Sequence, residues 1–251
     1  MKKKLDYCNR KLYHNFFLIL MVLALCVSCT SGAQTIDDPR FISHVVDLKT
    51  QTLKLYWKDS TNTNYGSIEK LKKHLKTNSK TLRFAMNGGM YLKDSSPQGL
   101  YIEKGIVKTA IDTTKEAYGN FYLQPNGIFC ITKDNKGVVV ETSAFKSTSN
   151  IRYATQSGPM LVINGALHSK FVKGSNNLHI RNGVGILPNG NLLFAMSKDL
   201  INLYDFADFF KSVGCKNALY LDGFVSRTYL PEKNWEQLDG NFGVIIAEIK
   251  E

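Results

Sequence analysis

No stretch of the 251-residue chain is long and apolar enough to cross a bilayer as a mature helix: the run Phe16 to Val27 stops well short of the roughly 20 residues a span needs. A bundle of membrane-spanning helices is not expected. Cysteine is scarce, five residues, and only Cys130 and Cys215 follow position 29, far apart and without the paired spacing of a zinc site. Cys130, in the apolar run Gly127–Ile131, reads as a buried structural thiol, with a disulfide to Cys215 as the alternative. The chain also lacks a GxxxxGK phosphate loop, an HExxH helix and a GxSxG elbow, which removes the common nucleotide-binding and hydrolase signatures. There is no Lys/Arg stripe with interleaved aromatics, so nucleic acid is not an expected partner. With 43% hydrophobic and 21% charged residues, 19 Gly and six Pro, the composition is that of a globular protein.

The formal net charge is +11, but residues 1–28 hold five basic residues against one acid, leaving +7 on the rest. Lys2, Lys3, Lys4, Arg10 and Lys11 precede the apolar run Phe16 to Val27, the layout of an export signal. Cys26-Val27-Ser28-Cys29 then resembles a bacterial lipobox, with Cys26 where Leu is usual, so Cys29 is the expected site of lipidation and membrane anchoring. Cleavage after Ala33 is the competing reading. The expected organisation is a lipoprotein-type signal at 1–28, a flexible tether at 29–40 and one domain at 41–251, placing the protein in the cell envelope. That length suffices for a substantial core.

The alternating runs Phe41–Leu48 and Gln51–Trp57 predict two strands joined as a hairpin. Ile68, Leu71 and Leu75 fall at helical spacing behind a capping Ser67. Lys104-Gly105, Pro125-Asn-Gly127, Asp134-Asn-Lys-Gly137, Asn164-Gly165 and Pro188-Asn-Gly190 are turn signals between apolar runs, so the middle of the chain reads as β. A second helix is expected where Leu203, Phe206, Ala207 and Phe210 share a face, with Asn202 as cap, Asp205 three residues on and Gly214 as stop. It leads into the apolar strand Asn217–Asp222, and Gly243–Ile249 is a last strand. Together these predict an α+β domain with a mixed, largely antiparallel sheet and a few flanking helices.

Polar residues sit among glycines at the ends of apolar runs: Asn87-Gly-Gly-Met-Tyr91, Gln156-Ser-Gly-Pro-Met160, Arg181-Asn-Gly-Val-Gly185 and Asp222-Gly223. Glycine beside a polar side chain lets backbone approach a polyoxygenated or anionic ligand; ordinary turns are the plainer account. With their flanks, and with Pro97-Gln-Gly-Leu-Tyr101, these segments resemble, in order, the phosphodiester glycosidase family over residues 41 to 249. The wider family often has Asp-Gly-Gly-Gly-Ser where this chain has Asp222-Gly-Phe-Val-Ser226, and Asn182 replaces a common Thr. The bulkier Phe224 and Val225 are expected to narrow the loop.

The resemblance implies an exported glycosidase acting on a sugar-phosphate diester or related phosphorylated envelope glycan. In such a reaction a phosphate monoester leaves while positive charge develops on the sugar. Arg181 is the expected phosphate grip through its planar fork, and Asp222 the catalytic carboxylate. A structural ion pair for Arg181 and a turn-closing role for Asp222 are the alternatives. Asn87, Gly88, Gln156, Ser157, Gly158, Asn182, Gly223 and Ser226 are the expected substrate-binding residues. No cofactor is implied, and an oxygen-coordinated metal ion assembled across loops would leave no sequence signal. The rival reading is a non-catalytic envelope lipoprotein that binds phosphorylated or acidic glycans.

Overall fold

The computed structural model describes residues 36–146 and 148–251. The leader 1–28, the lipidation site Cys29, the alternative cleavage site at Ala33 and most of the tether lie outside the described residues.

Among the described residues sixteen strands, numbered in chain order, form three sheets. The first runs β1 (Phe41–Val46), β12 (Leu192–Ser197), β11 (Asn182–Ile186), β13 (Ala218–Asp222), β9 (Met160–Ile163) and β10 (Ala166–Leu167). The second runs β15 (Trp235–Glu236), β14 (Thr228–Leu230), β3 (Thr81–Asn87), β16 (Ile245–Lys250) and β2 (Thr52–Tyr56). The third runs β5 (Ile106–Thr109), β4 (Tyr101–Glu103), β8 (Ile151–Ser157), β6 (Gly127–Thr132) and β7 (Gly137–Glu141). Every pairing is antiparallel. Among the described residues there are two α-helices, α1 (Ile68–Thr77) and α2 (Leu203–Ser212). The domain is therefore richer in β than the expected α+β arrangement, and three antiparallel sheets replace one mixed sheet.

One aromatic from each sheet marks the centre. Phe194 of the first sheet stands 5.3 Å from Phe84 of the second and 5.8 Å from Phe129 of the third, measured between ring centroids. The period-2 alternation of β13 divides its side chains cleanly: Leu219 and Leu221 enter this central core, while Ala218 and Tyr220 face α2. On β16, Ile246 faces inward and Ile245, Ala247 and Ile249 pack with Ile68, Leu71 and Leu75 of α1. Both helices carry the expected caps. The Ser67 hydroxyl accepts from Lys70 N, and Asn202 Oδ1 accepts from Asp205 N while its Nδ2 donates back to Asp205 Oδ2.

The expected hairpin of the first two strands does not form. Thr50 N and Gln51 N both donate to Asp47 O in a tight turn, yet β1 pairs with β12 and β2 with β16. Ile42 and Val46 of β1 and Leu53 and Leu55 of β2 enter the same core cluster, so the two strands meet across the core instead of side by side. Four of the five turn signals do close hairpins; Lys104-Gly105 and Asn164-Gly165 have φ of +52°, +81° and +49°, +85°. Pro125-Asn126-Gly127 is the exception. Gly127 opens β6, and a side chain there would meet the Met160 sulfur and Val140 O.

Candidate active site

Three strand ends converge: β3 closes at Asn87, β11 opens at Asn182 and β13 closes at Asp222, with Asn182 opposite Asp222 in the ladder. Asp222 Oδ1 accepts from Gly223 N at 2.6 Å and Phe224 N at 3.2 Å, and Oδ2 accepts from Asn87 Nδ2 at 3.1 Å. Asn87 cannot flip without loss, because its Oδ1 accepts from Asn182 Nδ2 and from Arg227 N, both at 2.9 Å. Asn182 Nδ2 also donates to Asn87 O. Its own Oδ1 is buried and has no partner among the described residues.

Asp222 is 8% exposed. Burial raises its pKa from the ordinary carboxylate range to about 6; the N–H groups of Gly223 and Phe224, the Asn87 amide and the Val225 N–H pull the other way and do not win. Half-buried Tyr91 lies within electrostatic reach, its phenol raised by burial and then by the Asp222 charge. Ser226 Oγ donates to Asp222 O at 3.1 Å and Ile180 O at 3.3 Å, and Ser157 Oγ donates to Leu221 O at 2.9 Å. These hydroxyls hold the backbone on either side of the carboxylate.

Arg181 lies beneath this loop with 0% exposure. Nε donates to Ile201 O at 2.7 Å, Nη1 to Tyr220 Oη at 2.9 Å, and Nη2 to Asn177 O and Oδ1, both at 2.8 Å. Four of the five guanidinium N–H groups are thus taken by the protein, and the fifth is on Nη1. None of its partners is a carboxylate, so the expected alternative of a structural ion pair is not what holds it. Burial lowers its pKa, against the opposing effect of Tyr220.

The space beside the site glycines is filled by protein. A side chain on Gly223 would collide with the Tyr220 hydroxyl, one on Gly88 with Ile246, and one on Gly158 with Asn126 and Phe121 O. Gln156 belongs to a different task. Its Oε1 accepts from Leu100 N and Asp112 N, and its Nε2 donates to Asp112 O and Thr142 Oγ1, fastening the loop around residue 112 to β8. Asn87, Asn182, Asp222, Gly223 and Ser226 therefore come together with Arg181 below them, while the Gln156 amide turns to the third sheet. Tyr91, Tyr220 and Arg227 join the network without having been singled out from the sequence; Tyr91 and Tyr220 lie inside the glycine-bearing motifs, and that position was the available signal.

Among the described residues no group of three or more His, Cys, Asp or Glu side chains is placed to hold a metal ion. Cys130 and Cys215 are free and buried, and burial pushes both thiols up to about 12. Asp205 is spent on the α2 cap.

Residues 80–243, which contain every strand end just described, match the family model for phosphodiester glycosidase. The chain belongs to the phosphodiester glycosidase family. A relative named "Uncharacterized protein YigE", from Escherichia coli K12, is 35% identical over 217 residues, covering 85% of this chain and 84% of its own. Among solved structures, the catalytic domain of zebrafish N-acetylglucosamine-1-phosphodiester alpha-N-acetylglucosaminidase, auto-inhibited by its pro-peptide, superposes with a TM-score of 0.55 at 14% identity, over 84% of each chain. A hypothetical protein from Synechocystis gives 0.54 at 11% identity over 84% of this chain and 59% of its own. At such identities the likeness to these two structures is one of fold.

Proposed function

We propose that this phosphodiester glycosidase family member hydrolyses a sugar-1-phosphodiester, or a related phosphorylated envelope glycan, at the anomeric carbon, with Asp222 as the catalytic carboxylate. The observation that carries the reading is the state of Asp222. It is a nearly buried carboxylate at the end of a central strand, locked by two backbone N–H groups and Asn87, with a raised pKa. Oδ2 accepts from Asn87 Nδ2, and a carboxylate oxygen with two lone pairs retains capacity to meet water or the sugar.

In the proposed reaction the bond between C1 and the phosphate oxygen breaks, its electron pair leaving with the phosphate monoester. Ionised Asp222 stabilises the positive charge that grows on the ring and accepts the proton of the water whose oxygen bonds to C1. Phosphate leaves more readily than a sugar alkoxide, so the second, acidic carboxyl group of an ordinary glycosidase is not required. The unpartnered Asn182 Oδ1 suits a sugar hydroxyl, because a buried acceptor without a donor costs free energy until a ligand supplies one. Arg181, fully buried with its fork taken by Ile201, Tyr220 and Asn177, acts as a positioning residue for the loop in place of the expected phosphate grip, and its charge beneath Gly223 favours a phosphate above it.

Purified full-length protein offered a panel of α- and β-linked sugar-1-phosphodiesters is expected to release free sugar from at least one, and Asp222→Asn to lower that rate by about 10³-fold or more. Undiminished release by Asp222→Asn would remove the site assignment; tight binding with no release from any diester would identify a glycan-binding protein instead. The same reading includes export on the leader and anchoring through Cys29. Cys29→Ala is expected to shift the protein out of the membrane fraction, and unchanged membrane association would count against the anchor.

A further inference from the structure

A second concentration of charge lies at the start of β8. Two adjoining cavities, of about 210 and 280 Å³, share Arg152 and Tyr153 as a common wall. Lys49 and Lys54 line the first, Lys104 and Lys133 line the second, and among the described residues no carboxylate lines either. Lys49 lies between β1 and β2, Lys104 between β4 and β5, and Lys133 between β6 and β7, so three turns bring like charges to one place.

The acids nearby are committed elsewhere. Glu251 Oε1 accepts from Lys54 and Lys80, Asp134 pairs with Lys136 and accepts from Asn150, and Asp47 accepts from Lys49 N. Glu103 accepts from Tyr101 Oη and lies 3.8 Å from Lys104 Nζ. Arg152 and Lys133, by contrast, meet neutral acceptors. Half-buried Arg152 donates from Nη1 to Asn135 Oδ1 at 2.8 Å and from Nη2 to Lys133 O at 2.7 Å, and Lys133 Nζ donates to Ser149 O at 2.7 Å. Three of the five guanidinium N–H groups remain. The backbone fastens the turns to the same place: Gly105 N donates to Arg152 O at 2.8 Å and Lys133 N to Asn150 O at 2.9 Å. A side chain on Gly105 would stand 3.9 Å from Lys133 Cε, so these two turns touch. Cations held in one hollow without carboxylates repel one another until an anion enters, and a concave surface of one sign concentrates the field that draws it in.

We propose that Arg152, with Lys49, Lys104 and Lys133, binds the phosphate of a phosphorylated sugar at a site separate from Asp222. A fixed guanidinium with ammonium groups around it suits the several oxygens and higher charge of a phosphate better than it suits a lone planar carboxylate. The guanidinium stands in a recess between turns, which favours a ligand small enough to enter over a bilayer surface. β8 runs from this recess to Ser157, whose hydroxyl holds Leu221 O, so about 17 Å of extended strand separates the site from the strand that carries Asp222. The proposal is independent of the role of Asp222.

The test is titration calorimetry of the full chain at low salt with inorganic phosphate, glucose 1-phosphate and methyl glucoside, repeated with Arg152→Gln, Lys49→Gln/Lys104→Gln and Asp222→Asn. The two phosphates are expected to bind and methyl glucoside is not. Arg152→Gln is expected to weaken binding by about tenfold or more, the lysine pair by about threefold, and Asp222→Asn to leave it unchanged. Neither Lys49 nor Lys104 donates to a neutral acceptor, so the double variant keeps the test open should Arg152→Gln fail to fold. Methyl glucoside binding as tightly as glucose 1-phosphate, an affinity unchanged in both charge variants, or binding lost in Asp222→Asn would each overturn the proposal. So would binding to phosphatidylglycerol vesicles that depends on Arg152, with none of glucose 1-phosphate, since the surface would then dock lipid.

Discussion

A carboxylate taken out of water becomes harder to ionise unless hydrogen bonds replace the lost solvent, and at Asp222 they do so only in part. Its folded pKa of about 6 stands above the ordinary 3.8, so the folded protein holds a proton here that the unfolded chain has released. The group favours folding fully below pH 3.8, and this contribution is lost as pH rises through about 6. Asp222→Asn removes this titration but sets its amide N–H groups against Asn87 Nδ2, so the parent is expected to gain stability relative to the variant as pH falls from 7 to 4, by up to about 2 kcal/mol in thermal melts. A difference between the two proteins that does not change with pH would contradict the raised pKa. Gly223 makes a second test. Gly223→Ala forces a methyl group against the Tyr220 hydroxyl and is expected to cost about 1–3 kcal/mol, part of which Tyr220→Phe should restore in a double-mutant cycle; strict additivity would contradict the contact. At this scale the sequence revealed which polar residues sit among glycines. It did not reveal where the donors of Arg181 go, because their acceptors are 4, 20 and 39 positions away and two of the four are backbone carbonyls.

Local chemistry made most elements readable. Two left-handed residues at Lys104-Gly105 and Asn164-Gly165 specify tight hairpins, and a capping side chain followed by apolar residues at helical spacing specifies α1 and α2. What joins elements from different sheets left no local trace. β1 and β2 alternate as paired strands would, yet they belong to different sheets, and the link there is side-chain chemistry: His44 Nε2 of β1 lies 2.6 Å from Glu248 Oε2 of β16, 204 positions on. Both are largely buried beside a cavity of about 520 Å³ that Arg83, Glu232 and Lys233 help to line, away from Asp222. Burial alone would raise the Glu248 pKa, but hydrogen bonds from His44 and Gln51 bring it below the ordinary value of 4.5. Its contribution is present above pH 4.5 and lost as pH falls through the lowered folded value. Glu248→Ala, which strips His44 of this partner, is expected to cost about 2 kcal/mol at pH 7, and an unchanged urea midpoint would show that the pair does not join the sheets.

At the scale of the molecule, three sheets meet around Phe194, and the ends of β3, β11 and β13 are thereby held at one place. Packing on all sides makes the Asp222 carboxylate both rigid and reluctant to ionise. The β-rich character was visible in the spacing of turn signals, whereas the number of sheets depends on which strands meet over long separations, and alternation alone does not encode that. The most direct test is the pH dependence of kcat/KM for sugar release from a sugar-1-phosphodiester. If the ionised Asp222 carries the reaction, the rate falls tenfold per pH unit on the acid side of a midpoint near 6, and Asp222→Asn lowers release by about 10³-fold or more and loses that acid limb. A profile flat from pH 4 to 8, or an Asp222→Asn variant that retains the parent's rate and acid limb, would contradict the account.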